Sequence, residues 1–152
     1  MSVALFTTRR NYLIYRKKMN NEEQKTTIHE FDPVIYPRKV WIAVGKGQFK
    51  DRFSGVSEWD ETTDAVVDNA YDEERKLGGL LIRFESVDAI TFGNVTHESN
   101  HVAMEIFDYI GATVEIKNQE PFCYLAGWIG KCCEEVKRIE SEKLKLNENK
   151  TQ

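Results

Sequence analysis

Residues 94–111 read NVTHESNHVAMEIFDYIG, and the spacing of their apolar side chains predicts an amphipathic helix that ends at Gly111. At about 100° per residue, Val102, Ala103 and Ile106 gather on one side of this helix, which we expect to be buried. His97 and His101 fall within about 40° of each other on the opposite side. The segment is therefore expected to lie under a cleft, with one face in the core.

The segments on both sides of this helix predict an α+β fold. Residues 40–44 and 80–84 are rich in strand-forming side chains, which predicts two strands. Residues 34–36 are expected to form a separate short strand or part of one strand that is broken at Pro37. Residues 60–76 have helical spacing and end at two glycines, which predicts a first helix. A last helix is expected from about residue 118 to about residue 144, with Pro121 in its first turn. We expect a small antiparallel or mixed sheet, packed on the helix that carries the histidines and on a long C-terminal helix.

The composition is that of a globular chain of domain size. The 152 residues carry a net charge of −4, and their basic residues form no dominant patch, so nucleic acid is not expected as a partner. No run approaches the roughly 18 to 20 apolar residues of a membrane span. Arg9 and Arg10 follow the mildly apolar start instead of preceding it, which is the wrong order for a secretory signal.

Three segments are expected along the chain. Residues 1–30 are interpreted as a flexible N-terminal extension in which Met1 and Met19 are alternative starts, residues 31–146 as a single domain, and residues 147–152 as a loose tail. Cys123, Cys132 and Cys133 cannot all pair with one another, so we expect reduced thiols in a cytoplasmic protein. Zinc ligation by these cysteines is the alternative, although no CxxC spacing supports it.

The motif His97-Glu98-Ser99-Asn100-His101 predicts a zinc site. Side chains four residues apart on a helix are neighbours, so both imidazoles can reach one ion at about 2.0 to 2.1 Å. Glu98 follows the first histidine and is placed to take a proton from a zinc-bound water. Two exposed histidines without metal are the simpler alternative. His29, the third histidine of the chain, is expected to be an ordinary surface residue.

A catalytic zinc ion also needs a third protein ligand, for which Glu120 is the first candidate. Asp108 and Glu115 are its rivals, and Asp108 is also a possible partner of a histidine ring. Tyr124, one helical turn beyond Glu120, is a candidate to stabilise an oxyanion, with simple packing as the alternative. Gly127 and Gly130 lie within the last helix, where we expect them to allow close approach to the helix of the histidines.

These residues resemble those of a zincin of the gluzincin type. The resemblance covers residues 75–140 and implies that His97, His101 and Glu120 bind zinc while Glu98 acts as the general base. Residues 97–132 also resemble small phage and mobile-element proteins, including the ImmA/IrrE kind of repressor-cleaving peptidase. The chain departs from that pattern at Pro121 and Tyr124. The resemblance further implies that an edge strand, residues 79–85 here, binds the backbone of the substrate.

The sequence therefore predicts a zinc-dependent hydrolase, most specifically a small metallopeptidase that acts on a peptide or protein substrate. Glu98 and Tyr124 are the expected catalytic residues. A catalytically silent zincin-like binding module of phage or prophage origin is the alternative. A metal-free structural protein is the third possibility.

Overall fold

The computed structural model describes residues 26–47 and 49–150, which fold into a five-stranded sheet and two long helices. The strands are β1 (Thr27–Phe31), β2 (Lys39–Val44), β3 (Phe53–Ser54), β4 (Ala65–Asp72) and β5 (Leu77–Phe84). A 3-10 turn at Val87–Ala89 leads into α1 (Phe92–Tyr109), and α2 (Glu120–Lys150) follows. The predicted α+β class is confirmed.

The sheet is mixed and has the strand order β1-β2-β5-β4-β3. Strands β2 and β5 are parallel, with Lys39 opposite Gly79 and Val44 opposite Phe84, and every other pair is antiparallel. Strand β5 therefore lies in the middle of the sheet. Its two neighbours, β2 and β4, leave it no free edge.

Both faces of the sheet are covered by apolar side chains, because successive residues of a strand point to opposite faces. The helix-facing cluster combines side chains of β2 and β5 with those of the two helices; among them are Val40, Ile42, Leu80, Ile82, Val102, Ile106, Ile129 and Val136. The opposite face buries a smaller cluster, which contains Trp41, Ala43, Phe49, Phe53, Ala70 and Leu81. The helices thus cover one face only.

The helix predicted for residues 60–76 is wrong, since residues 65–72 form strand β4. Asp68 and Asp72 are buried within this strand. Acidic residues early in the segment favour a helix there, but the carboxylates of Asp68 and Asp72 are bound by arginines. Asp68 pairs with Arg83 at 2.7 Å, and Asp72 pairs with Arg52 at 2.9 Å. The segment has helical spacing in its sequence, but ion pairs that form only in the folded protein allow its acidic residues to be buried in a strand.

The predicted boundaries differ from the structure at both ends of the chain. Residues 27–30 belong to β1 and not to a flexible extension, and α2 continues through Lys150 into the expected loose tail. The rest of the predicted extension, together with Met1 and Met19, lies outside the described residues, as do residues 151–152. Residues 34–36 form a bend instead of a strand, and Val34 has a φ of 59°.

Helix α1 has a defined start and end. Thr91 caps it by accepting a hydrogen bond from Asn94 N at 3.2 Å. Gly111, with a φ of 70°, follows its last turn and donates its N–H to Asp108 O, which is typical of a glycine C-terminus. Among the helices in the described part of the chain, none is long and apolar enough to cross a membrane.

The two helices are antiparallel neighbours. The rings of Phe107 and Phe122 pack edge to face with centroids 5.6 Å apart near the connecting loop. Farther along, a Cβ at Gly130 would lie 3.8 Å from both Ser99 Oγ and Val95 Cγ1. These contacts define the register of the two antiparallel helices. The first turn of α2 lies opposite the end of α1. His101 lies opposite the first half of α2, near the middle of that half.

Candidate functional site

The two histidines of the motif converge on the exposed side of α1. Their Nε2 atoms are 3.0 Å apart, and their rings meet edge to face with centroids separated by 4.6 Å. Two nitrogens bound to one tetrahedral zinc ion at about 2.0 to 2.1 Å lie about 3.3 to 3.4 Å apart. Moving the two imidazoles apart by a few tenths of an ångström would therefore let both bind one ion.

Glu98 lies against the same site but is turned into the protein. The residue is only 6% exposed, although His97 and His101 on either side of it in the motif are exposed. Burial raises the pKa of Glu98, while the charges of His97 and His101 act in the opposite direction. The carboxylate is consequently held out of bulk water beside the imidazoles, which is the environment of a proton-transfer group.

A pocket of about 270 Å³, here called the β4–α1 pocket, opens between the motif and the sheet. One wall comes from α1 and the other from β4; the lining residues are His97, Glu98, His101 and Glu105, and Ala65, Val66, Val67 and Asn69. The helix that carries the motif therefore does form one side of a cleft. The other side is strand β4, which lies in the segment for which the sequence predicts a helix.

The strand beside the motif is β4, so the expectation that residues 79–85 form the substrate-binding edge is wrong. That segment belongs to the central strand β5. On the outer side of β4, β3 pairs only through Phe53 and Ser54, which lie opposite Asp72 and Tyr71. The first half of β4, next to the histidines, is left as an edge by the residues that the structure describes.

The hydrogen-bonding direction of this edge follows from one contact. Glu85 N donates to Asp64 O at 2.9 Å, so residue 64 faces β5 with its backbone groups. Because the direction alternates along an antiparallel strand, Val66 faces β5 as well, whereas Ala65 and Val67 direct their N–H and C=O groups outward. The described residues provide no backbone partner for these two outward positions. They can pair with an added strand.

The structure does not bring Glu120 to the histidines. Glu120 is exposed in the first turn of α2, and the antiparallel register places it near Asp108, about 10 Å along the helix axis from His101. Asp108 is exposed, and Glu115 forms a bridge with Asn118 in the connecting loop. Across residues 26–47 and 49–150, no group of three or more His, Cys, Asp or Glu side chains is arranged to hold a metal ion.

Two other expectations about α2 also differ from the structure. Tyr124 is 75% exposed and is not part of the β4–α1 pocket, so it does not face the histidines. The expected close approach between helices is not found at Gly130, because an added Cβ there would make only ordinary contacts with α1, at 3.8 Å. A Cβ at Gly127 would meet nothing within 4 Å, so this glycine does not serve helix packing.

Sequence reasoning missed Glu105 and Asn69, which both line the pocket. Glu105 lies four residues after His101, so the helical stripe that joined the two histidines could also have identified it. Asn69 could not be found in this way, because its place at the pocket depends on the pairing of β4 with β5. His29 was expected at the surface, but it is partly buried and bonds through Nε2 to Glu140 Oε1 at 2.7 Å.

The three cysteines lie apart from the motif or are enclosed in the core. All three are free thiols, with Cys123 exposed and Cys132 and Cys133 buried. Burial raises the pKa of both buried thiols to about 12, and neighbouring charges add to this effect. They therefore remain protonated at neutral pH, which disfavours the alternative that they bind zinc.

No protein-family model matches this chain, and searches of curated proteins and of solved structures give no match either.

Proposed function

We propose that the chain is a zinc-dependent peptidase whose centre lies in the β4–α1 pocket. The observation that carries this proposal is the convergence of His97 and His101 at 3.0 Å beside a buried Glu98 and an open strand edge. His97 and His101 would hold the zinc ion, which would supply a Lewis acid and lower the pKa of a water to near 7. The free thiols of the chain fit the reducing compartment that we propose for it, the cytoplasm.

In this proposal the β4 wall of the pocket binds the substrate, and the α1 wall provides the catalytic residues. Ala65 and Val67 bind an extended peptide through their outward N–H and C=O groups, which places a peptide bond in front of the histidines. Glu98 accepts the proton of the attacking water and then transfers it to the departing amine. The low exposure of Glu98 keeps competing water away from the proton it holds.

Two carboxylates compete for the third ligand position. Glu120 is the ligand implied by the resemblance to gluzincins, but the register of the helices places it away from the pocket. Glu105 lines the pocket, and its side chain tilts toward the N-terminus of α1, in the direction of His101. The geometry therefore favours Glu105.

The exchange of Glu98 for glutamine tests the function directly. We expect Glu98→Gln to keep zinc binding and to lower the cleavage of an unstructured protein such as casein by about 100- to 10,000-fold. Glu142→Gln is the matched control, because Glu142 pairs with Arg138 on the exposed side of α2. Wild-type activity in Glu98→Gln would contradict the mechanism.

A catalytically silent binding module is the second candidate, and the missing third ligand among the described residues favours it. In that case wild-type protein would bind zinc and peptides but would cleave no substrate, with or without added zinc. Purified protein without stoichiometric zinc, and without affinity for it, would favour a metal-free structural role instead.

A further inference from the structure

We propose that Arg38 forms a carboxylate-binding site at the Asn69 end of the β4–α1 pocket. Its ligand is an acidic side chain or the free C-terminal carboxylate of a peptide bound along β4. This inference rests on the proposed peptide-binding function and defines the substrate class of the same site. Arg38 is buried, with 8% of its surface exposed.

The guanidinium group of Arg38 has more donors than the described residues use. Its Nη2 donates to Asn69 Oδ1 and, at 2.9 Å, to Gly79 O. Its Nε is enclosed and has no hydrogen-bond acceptor among residues 26–47 and 49–150. Within that same part of the chain, no carboxylate forms an ion pair with Arg38 and no acceptor is bound to Nη1.

Among the described residues Arg38 has no counter-ion, and a buried cation without one is costly, so a structural role alone explains this arrangement poorly. The ring of Tyr109 covers the guanidinium with its centroid 4.6 Å from Cζ, which stabilises the charge but accepts none of its in-plane N–H groups. A carboxylate at Nη1 supplies the missing charge and an acceptor for the donor that is neither enclosed nor bound, while the enclosed Nε stays out of its reach.

The position of Arg38 is suited to a ligand in the pocket. Asn69, which accepts the Nη2 hydrogen bond, is itself part of the pocket lining. Arg38 and Tyr109 are not themselves lining residues, but Tyr109 lies one helical turn beyond Glu105, so the guanidinium lies just beyond the end of the pocket that is farther from His97. The guanidinium packs over Gly78, where an added Cβ would make an ordinary contact of 3.9 Å with Arg38 Cζ.

The open edge of β4 also ends at this point. A Cβ at Gly55 would lie 2.4 Å from Asn69 O, so the chain next to β3 closes against Asn69. A peptide beside Ala65 and Val67 has every second side chain on the helix side of the sheet. The side chain or terminus next to Asn69 then reaches Arg38.

Four pools of fluorescein-labelled hexapeptides test the preference and separate the two sources of a carboxylate. The first pool has neutral side chains and a free C-terminus, and the second has the same side chains and an amidated C-terminus. The third and fourth are amidated and contain one glutamate or one glutamine. Using the zinc-loaded Glu98→Gln protein and fluorescence anisotropy, we expect one carboxylate pool to bind about 10-fold more tightly than its neutral partner. Equal binding within both pairs would overturn the proposal.

Arg38→Gln should remove this preference, whereas Arg138→Gln should keep it. Arg138 carries the same charge on the exposed side of α2, where it pairs with Glu142. A preference that survives in a folded Arg38→Gln protein would assign the carboxylate to another group. If Arg38→Gln does not fold, Arg38→Lys retains the charge but loses the planar donors, and we expect it to weaken the preference.

Titration of wild-type protein with acetate tests the site independently of peptide binding. We expect the side-chain ¹⁵Nε–H resonance of Arg38 to shift in a saturable manner with acetate and not with the same concentration of chloride. An Arg38 resonance that acetate leaves unchanged overturns the carboxylate site, even if peptides bind. A saturable shift without binding of any peptide pool would support the site and contradict the peptidase.

Discussion

Arg83 of β5 donates through Nε to Asp68 Oδ2 of β4 at 2.7 Å, and the two side chains are 3% and 4% exposed. Ser57 adds its carbonyl and hydroxyl oxygens as acceptors for Arg83 Nη2, while Ser57 N donates to Asp68 Oδ1. This pair joins β4, β5 and the loop that covers the sheet on the face opposite the helices. It holds in place the strand that forms one wall of the β4–α1 pocket.

Removing one partner of this ion pair should therefore destabilise the protein strongly. Arg83→Met leaves Asp68 buried without its cation, and we expect the free energy of unfolding to fall by about 3 to 5 kcal/mol. The double substitution Arg83→Met with Asp68→Leu should recover most of that loss, because no buried charge remains. Urea denaturation measures both values. Equal stability of the single and double variants would contradict a buried, coupled pair.

Proline substitutions test the open edge of β4. Val67→Pro removes an N–H that faces outward, so we expect little loss of stability but a loss of peptide binding. Val66→Pro removes an N–H that faces β5 and should instead lower the melting temperature. Thermal denaturation and fluorescence anisotropy separate the two effects. Unchanged peptide binding in Val67→Pro would exclude strand addition at this edge.

The third zinc ligand can be assigned by comparing two glutamate substitutions. We expect Glu105→Gln to weaken zinc binding by more than the roughly 10- to 100-fold that the loss of an outer partner causes, because Glu105 lines the pocket. Glu120→Gln should leave the affinity unchanged. Competition with a chelating dye provides the measurement, and His101→Ala provides the reference for losing a ligand. The reverse order of effects would assign the position to Glu120.

The three cysteines should differ in reactivity toward a thiol reagent. At pH 8 we expect native protein to react rapidly at Cys123 only, because burial raises the pKa of Cys132 and Cys133 to about 12. The raised values also imply a stabilising contribution that is complete below the unfolded-state pKa of 9.0. This contribution is lost as the pH rises from there toward 12.

Mass spectrometry of the alkylated protein identifies the modified thiols, and denatured protein, in which all three should react, is the control. Denaturation curves between pH 8 and pH 11 measure the change in stability. Rapid modification of Cys133 in the native state, or stability that increases over this range, would contradict the described core.

Sequence periodicity predicted the elements whose burial depends on apolar side chains. Strand β5 and helix α1 were identified in this way, because Leu80 and Ile82 alternate and Val102 and Ile106 share a helix face. It failed at β4, where buried Asp68 and Asp72 are stabilised by arginines distant in sequence. Strand β1, which reads TIHEF, was missed because its polar residues gain partners such as Glu140 only in the folded protein.

The candidate site was likewise predictable only where its geometry depends on spacing within one element. The convergence of His97 and His101 follows from their spacing on one helix, and so was predictable. The opposite wall was not, since the position of β4 beside α1 depends on the order of strands in the sheet. The expected role of Glu120 assumed a helix register that the contact between Phe107 and Phe122 does not give.

The mixed pairing of β5 also has a consequence for the order of folding. Strands β4 and β5 are joined by the four residues 73–76 and can associate on the microsecond timescale of hairpins. The parallel pairing of Lys39 with Gly79 must close a segment of about 40 residues and so forms more slowly. During synthesis the β4 wall of the pocket can therefore assemble before α1 has emerged, and the histidines then dock against a preformed strand.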